Sequence, residues 1–134
     1  MDRKEVMALV NKPGWLGTLS TADLQGNVNA GVFSSAHMPD EDSVVVALGQ
    51  NRTLDNLGKN PKAALCVFET AASPYDWKGA RIYLEAKAIE ASGPLFDNLV
   101  ALVRQAAGDQ AAQMTKAAVS FRITGVRPLI DMGV

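Results

Sequence analysis

The sequence predicts a mainly β fold, a six-stranded antiparallel β-barrel with helices pushed to the connections. Short apolar or alternating runs of strand length recur between turn signals, and only three stretches carry helical spacing. Their order, helix, three strands, short helix, two strands, helix, strand, lacks the strict alternation that builds a parallel sheet. The 134 residues contain no repeat, low-complexity tract or long linker, so 1–134 reads as one domain able to bury a core.

Asp2 with Glu5 forms a capping-box pattern, and Val6, Leu9 and Val10 follow at helical spacing until Lys12-Pro13-Gly14 ends the segment. Trp15 to Thr21 reads as a strand, ADLQGN as a turn around Gly26, and Asn27 to Ser35 as the hairpin partner. In that partner Val28, Ala30, Val32 and Ser34 share one face, while Asn29, Gly31, Phe33 and Ser35 share the other. The small Ala30 and Gly31 leave room for something to approach, since a strand glycine is a cost unless a bulge or close contact explains it. His37 to Asp42 is a polar connection into the unbroken run Val44-Val45-Val46-Ala47-Leu48, which suits a strand covered on both faces.

Gly49 stops that strand. Thr53 then offers a helix N-cap, Leu54 and Leu57 share a face, and Gly58 with Asn60-Pro61 ends a helix of about one or two turns. Ala63 to Glu69 is another apolar strand, followed by the loop TAASPYDWKG, which presents Tyr75 and Trp77. Arg81 to Ala91 alternates as a long strand. Pro94 opens the longest helix, with Phe96, Leu99, Val100 and Val103 as its apolar stripe. Gln105 to Lys116 either continues it past Gly108 or holds a second short helix. Ala118 to Ile123 is the last strand, and Gly125 with Pro128 loosens the tail.

Composition narrows the function. Thirteen basic residues against fourteen acidic ones, without a run of either sign, give no footprint for nucleic acid or an anionic membrane. No apolar stretch is long enough to span a bilayer, and MDRKEVMALV lacks the pattern of a signal segment, so a cytoplasmic location is expected. The single Cys66 and single His37 leave no partner set for a zinc site or a Ser-His triad, so no metal is expected, and no catalytic side chain can be named.

The chemistry concentrates at the corner Gly49-Gln50-Asn51-Arg52-Thr53. A helix start carries amides without intrahelical partners and a partial positive charge, which suits a phosphate. The Arg52 fork can pair with two phosphate oxygens, and the Thr53 hydroxyl can complete the cradle. On its own such a pair is more often a solvated arginine before an ordinary cap.

This layout, with its Gly-Gln-Asn-Arg-Thr corner and the Asn60-Pro61-Lys62-Ala63 lead-in to the next strand, resembles the pyridoxamine 5'-phosphate oxidase-like FMN-binding split-barrel family over nearly the whole chain. The resemblance implies FMN as cofactor, with its phosphate held by Arg52 and Thr53 and Asn51 orienting the loop or touching the ribityl oxygens. It places the ring along Val46, Ala47, Leu48 and Gly49 and against Val32, Phe33, Ser34 and Ser35. It further implies a homodimer with flavins at the interface, to which Trp77, Tyr75 and Arg127 are candidate contributions from the second chain, and a small-molecule or protein redox partner. The pyridoxamine phosphate oxidases themselves end in an Arg-containing segment that closes on the substrate, whereas this chain ends LIDMGV, so that activity does not carry over. What the resemblance implies is an oxidoreductase whose redox chemistry is the flavin's. A flavin carrier or sensor without its own substrate, or a barrel holding haem or a deazaflavin, are the alternatives.

Overall fold

The structure, a computed structural model, describes residues 1–33 and 35–131. Helix α1 (Arg3–Val10) leads to strands β1 (Leu16–Ala22), β2 (Val28–Val32), β3 (His37–Asp40) and β4 (Ser43–Leu48). Then come α2 (Arg52–Leu57), β5 (Lys62–Glu69), a 3-10 turn at Pro74–Asp76, β6 (Lys78–Glu90), α3 (Pro94–Ala107), α4 (Asp109–Met114) and β7 (Ala117–Pro128). Among the described residues seven strands form one antiparallel sheet in the order β2-β1-β5-β6-β7-β4-β3. The antiparallel, mainly β class is as expected, with one strand more than the sequence suggests. The addition is β3, which holds the segment expected as a polar connection. Its pairing is sparse, His37 opposite Val45 and Asp40 opposite Ser43, and as an edge strand it tolerates Pro39.

Period-two alternation turns one side chain of every pair inward. Leu19 of β1, Leu65 and Val67 of β5, Ile82 and Leu84 of β6, Val119, Phe121 and Ile123 of β7, and Val44, Val46 and Leu48 of β4 meet in one buried cluster. A flat sheet could not bring these strands to a single core, so the sheet curls around it as a split barrel. Met38 of β3 and Val6, Leu9 and Val10 of α1 join the same cluster. Helix α1 starts with the expected capping box: the Glu5 amide donates to Asp2 Oδ1 at 2.9 Å and the Asp2 amide to Glu5 Oε1 at 3.4 Å.

On the outside of the barrel, Leu99 of α3 packs with Val45 and Ala118, so this helix covers β4 and β7. Of the two sequence readings after Val103, the structure has the second: Gly108, at φ 92°, ends α3 and a short α4 follows. Gly79 is needed for a different reason, because a Cβ there would overlap the Val67 carbonyl and the Phe68 backbone across the β5–β6 pair.

Phe121 is fully buried at the centre of the cluster. Phe121→Ala is expected to lower the unfolding free energy by about 3–5 kcal/mol, read as a lower urea midpoint at unchanged slope. A loss under about 1 kcal/mol would mean that the core does not close around this ring.

Candidate functional site

The corner between β4 and α2 is built by short-range hydrogen bonds. Asn51, in extended conformation, is the N-cap: its Oδ1 accepts from the Leu54 amide at 2.9 Å. The helix therefore begins two residues before the position expected from a Thr53 cap, and Thr53 has another task. It is only 2% exposed, and its Oγ1 accepts a hydrogen bond from Asn29 Nδ2 of β2 at 3.2 Å. One turn on, Asn56 Nδ2 donates to Thr21 Oγ1 of β1 at 3.0 Å, both residues buried. These two polar bridges dock α2 against the β1–β2 hairpin and leave Arg52 exposed.

Arg52 lines a polar cleft of about 560 Å³ together with Val28, Asp23, Asn27, Asp55, Asn56 and Lys59. Lys59 was not singled out in the sequence. It lies beyond Gly58, the cap that ends α2, where its amide donates to the Asn56 carbonyl at 3.0 Å, so no local pattern marks it. Asp23 accepts from the Asn27 side chain and from the Asn27 and Gln25 amides, each at 2.9 Å. These hydrogen bonds, the Asn27 side chain's foremost, hold its carboxyl below the usual range. Asp55 accepts from Gln50 Nε2 at 3.3 Å. The cleft thus offers a phosphate two cations, tempered by two carboxylates. With six residues α2 adds little dipole of its own, so the side chains carry the attraction.

The other sequence-derived site residues are dispersed. Val46 and Leu48 point into the barrel core, so their side chains cannot line a slot for a ring. Ala47 faces α3 instead, and its carbonyl accepts from Ser35 Oγ at 3.2 Å. At Gly49 a Cβ would sit 3.2 Å from the Met114 carbonyl. The room expected at Gly31 is filled by Phe33, whose ring edge lies 2.6 Å from where a Cβ would be. Val32 is 79% exposed, and Ser34 lies outside the described residues. Trp77 stacks on Phe68 with ring centroids 5.5 Å apart and planes within 4°, and its Nε1 donates to the Ala71 carbonyl at 3.1 Å. Tyr75 is exposed, and Arg127 Nη2 pairs with Asp131 Oδ2 at 2.8 Å.

Strand register assembles a second feature that sequence reading did not find. Val32, Thr18, Cys66, Arg81 and Arg127 lie opposite one another across β2, β1, β5, β6 and β7. They belong to the outer face of the sheet, where Val28 is 81% exposed and Leu16 half-exposed. Arg81 Nε donates to the Pro128 carbonyl at 2.8 Å, while its Nη2 lies 3.6 Å from Asp131 and has no hydrogen-bond acceptor among the described residues. Partial burial among these strands pushes the Cys66 thiol up, away from ionisation.

The family model for pyridoxamine 5'-phosphate oxidase matches residues 3–128. The chain belongs to that family. No curated protein matches the sequence. Among solved structures, an FMN-binding protein from Syntrophomonas wolfei subsp. wolfei is 25% identical, with a TM-score of 0.84 over 96% of this chain and 86% of its own. The haem storage protein HutZ of Vibrio cholerae is 20% identical, with a TM-score of 0.63 over 94% of this chain and 88% of its own. An F420 reductase is 17% identical, with a TM-score of 0.68 over 90% and 94%. The last two likenesses speak to the fold alone. Among the described residues, no helix of this family member is long and apolar enough to cross a membrane.

Two measurements test the corner. Asn51→Ala should cost about 0.5–2 kcal/mol through the lost cap, read by urea denaturation. For Asp23, whose folded pKa is depressed, the hydrogen bonds stabilise the fold above the unfolded value of about 3.9 and the benefit fades as pH falls through the folded value. The melting temperature of Asp23→Asn should therefore lie below that of the wild type at pH 7 and converge with it in acid; a gap that persists at the acid end would show that charge is not the cause.

Proposed function

We propose that this chain binds FMN with its phosphate in the Arg52–Lys59 cleft and acts as a homodimeric flavoprotein oxidoreductase. The observation that carries the reading is the cleft itself: two cations at the two ends of a docked short helix, on a family barrel whose 25%-identical neighbour is described as FMN-binding. When bound, FMN supplies hydride and electron transfer that no side chain can provide.

The chain's own residues supply the rest. Arg52 and Lys59 are the phosphate partners, Asn51 and Thr53 hold the corner in shape, and the exposed β2 edge at Val32 together with Ser35 is the surface available to the ring. Contact from β4 is restricted to backbone and to Ala47 and Gly49, because Val46 and Leu48 are committed to the core.

The exposed Val28, Val32 and Leu16 form an apolar stripe of the kind that a second subunit covers. A dimer through this face would carry Arg81 and Arg127 toward the partner's flavin, which supports Arg127 as a cross-subunit contact and adds Arg81 beside it. Trp77 and Tyr75 lie at the end of the same sheet, although Trp77 already spends its ring on Phe68.

Purified protein should show a flavin spectrum or take up added FMN. Arg52→Ala should weaken FMN binding by about tenfold or more, equivalent to roughly 1.5–3 kcal/mol for a charge-assisted hydrogen bond. The double variant Val28→Glu, Val32→Glu, altered only at exposed positions, should sediment as a monomer. A protein that takes up haem or a deazaflavin and not FMN would overturn the cofactor assignment, and one that binds FMN without reductase turnover with NADH or NADPH would be a carrier.

A further inference from the structure

Among the described residues, Arg81 Nη2 is the one buried side-chain nitrogen or oxygen with no hydrogen-bond partner. A buried donor left open is unfavourable, because it has lost water and gained no acceptor in exchange. The rest of the side chain cannot turn away to relieve it. Arg81 Nε donates to the Pro128 carbonyl at 2.8 Å, which fixes the planar fork against the end of β7.

Strand register brings a second cation to the same place. Arg81 and Arg127 are partners across β6 and β7, a placement unfavourable for like charges unless an anion lies between them. Asp131 supplies part of that anion. Its Oδ2 lies 2.8 Å from Arg127 Nη2 and 3.6 Å from Arg81 Nη2, so a single oxygen bonds one guanidinium and falls short of the other. Asp131 stands three residues past the end of β7 and outside any helix or strand, so no ladder fixes its place. Its side chain is 44% exposed and that of Arg127 53%, so solvent and solutes reach the pair.

We propose that Arg81 and Arg127 form a binding site for an oxyanion, the carboxylate or phosphate monoester group of a small ligand, and that Asp131 is its tethered competitor. The incoming group replaces the Asp131 carboxylate, with one oxygen toward Arg127 and a second toward Arg81 Nη2, giving the open donor the acceptor that Asp131 does not reach. Because the competitor is part of the chain, only an anion that fits both guanidiniums better than Asp131 displaces it. The inference goes beyond FMN binding in the Arg52 cleft and does not rest on it, since neither arginine lines that cleft.

The test follows the arginine Nε–Hε resonances of the ¹⁵N-labelled full chain, with Arg52, Arg81 and Arg127 assigned by substitution to Lys. Inorganic phosphate, and acetate in a separate series, are titrated at constant ionic strength. Arg81 and Arg127 should shift together along one saturation curve, and the tighter probe names the ligand's group. Asp131→Asn should lower the half-saturating concentration by about two- to fivefold, the range expected when an exposed ion pair no longer competes. Arg127→Gln should remove most of the response at Arg81, and in that background Asp131→Asn should add nothing. The Arg52 resonance reports the polar cleft in the same spectra, so failure of one site is told from failure of the other. Arg81 and Arg127 signals that neither probe moves in Asp131→Asn would overturn the site. A gain that persists in the Arg127→Gln background, or a lower melting temperature of Asp131→Asn without tighter binding of either probe, would overturn the competitor role.

Discussion

The sharing of β6 between two neighbours is the constraint on which the rest of the structure depends. Its 13 residues pair with β5 from Lys78 to Glu85 and with β7 from Ala80 to Glu90, so most of the strand serves both sides at once. Two register shifts against β7, at Tyr83/Leu84 and at Ala86/Ala88, bend and twist it. That bend is what lets the inward faces of β1 and β5 on one side and β7 and β4 on the other meet around Phe121 and Leu65. Close approach is part of the same geometry, and it explains a glycine at position 79 where a Cβ would strike β5.

Once the barrel is closed, the hairpin β1–β2 presents Thr21 and Asn29 to α2, and the helix is held there by polar contacts as well as by Leu57 in the core. A buried amide left without its partner costs about 1–3 kcal/mol, so the Asn29–Thr53 and Asn56–Thr21 pairs penalise any rotation of α2 that breaks them. Apolar contacts alone would allow a short helix to slide or turn. The hydrogen bonds specify one orientation, and in that orientation Arg52 and Lys59 face the same cleft.

The legible part of the sequence was the part set by local pattern. The valine run of β4, the alternation of β6, the capping box of α1 and the stripe of α3 each follow from neighbours in the chain. What escaped depends on partners far away in sequence. Strand β3 has no alternation to show, because its one inward anchor, Met38, sits beside Pro39 on an edge where only a few backbone groups are paired. Asn51 and Thr53 are both good caps by type, and the choice between them is settled by Asn29, 24 residues before Thr53. Gly125 and Pro128 resemble tail residues, yet β7 continues through them because β6 is long enough to pair with Tyr83 opposite Gly125 and Ala80 opposite Pro128. The corner was found because its residues are consecutive, while Lys59 and Asp23 come to it only through the docking of α2.

The outer face of the sheet repeats that lesson with a different outcome. Arg81 and Arg127 stand opposite each other on adjacent strands, an arrangement that repels unless something anionic lies near. Asp131 answers both, at 3.6 Å and 2.8 Å, and among the described residues it is one carboxylate between two guanidiniums, on a face that continues through Cys66, Thr18 and Val32. The exposed valines of β2 lie on the same face, three strands from Arg81, and a subunit interface that excluded ligands would shed the charges, since interface centres are depleted in them. In the proposed dimer, the apolar stripe and the cationic pair would together close over an anionic group, and the proposed flavin mononucleotide would be that group.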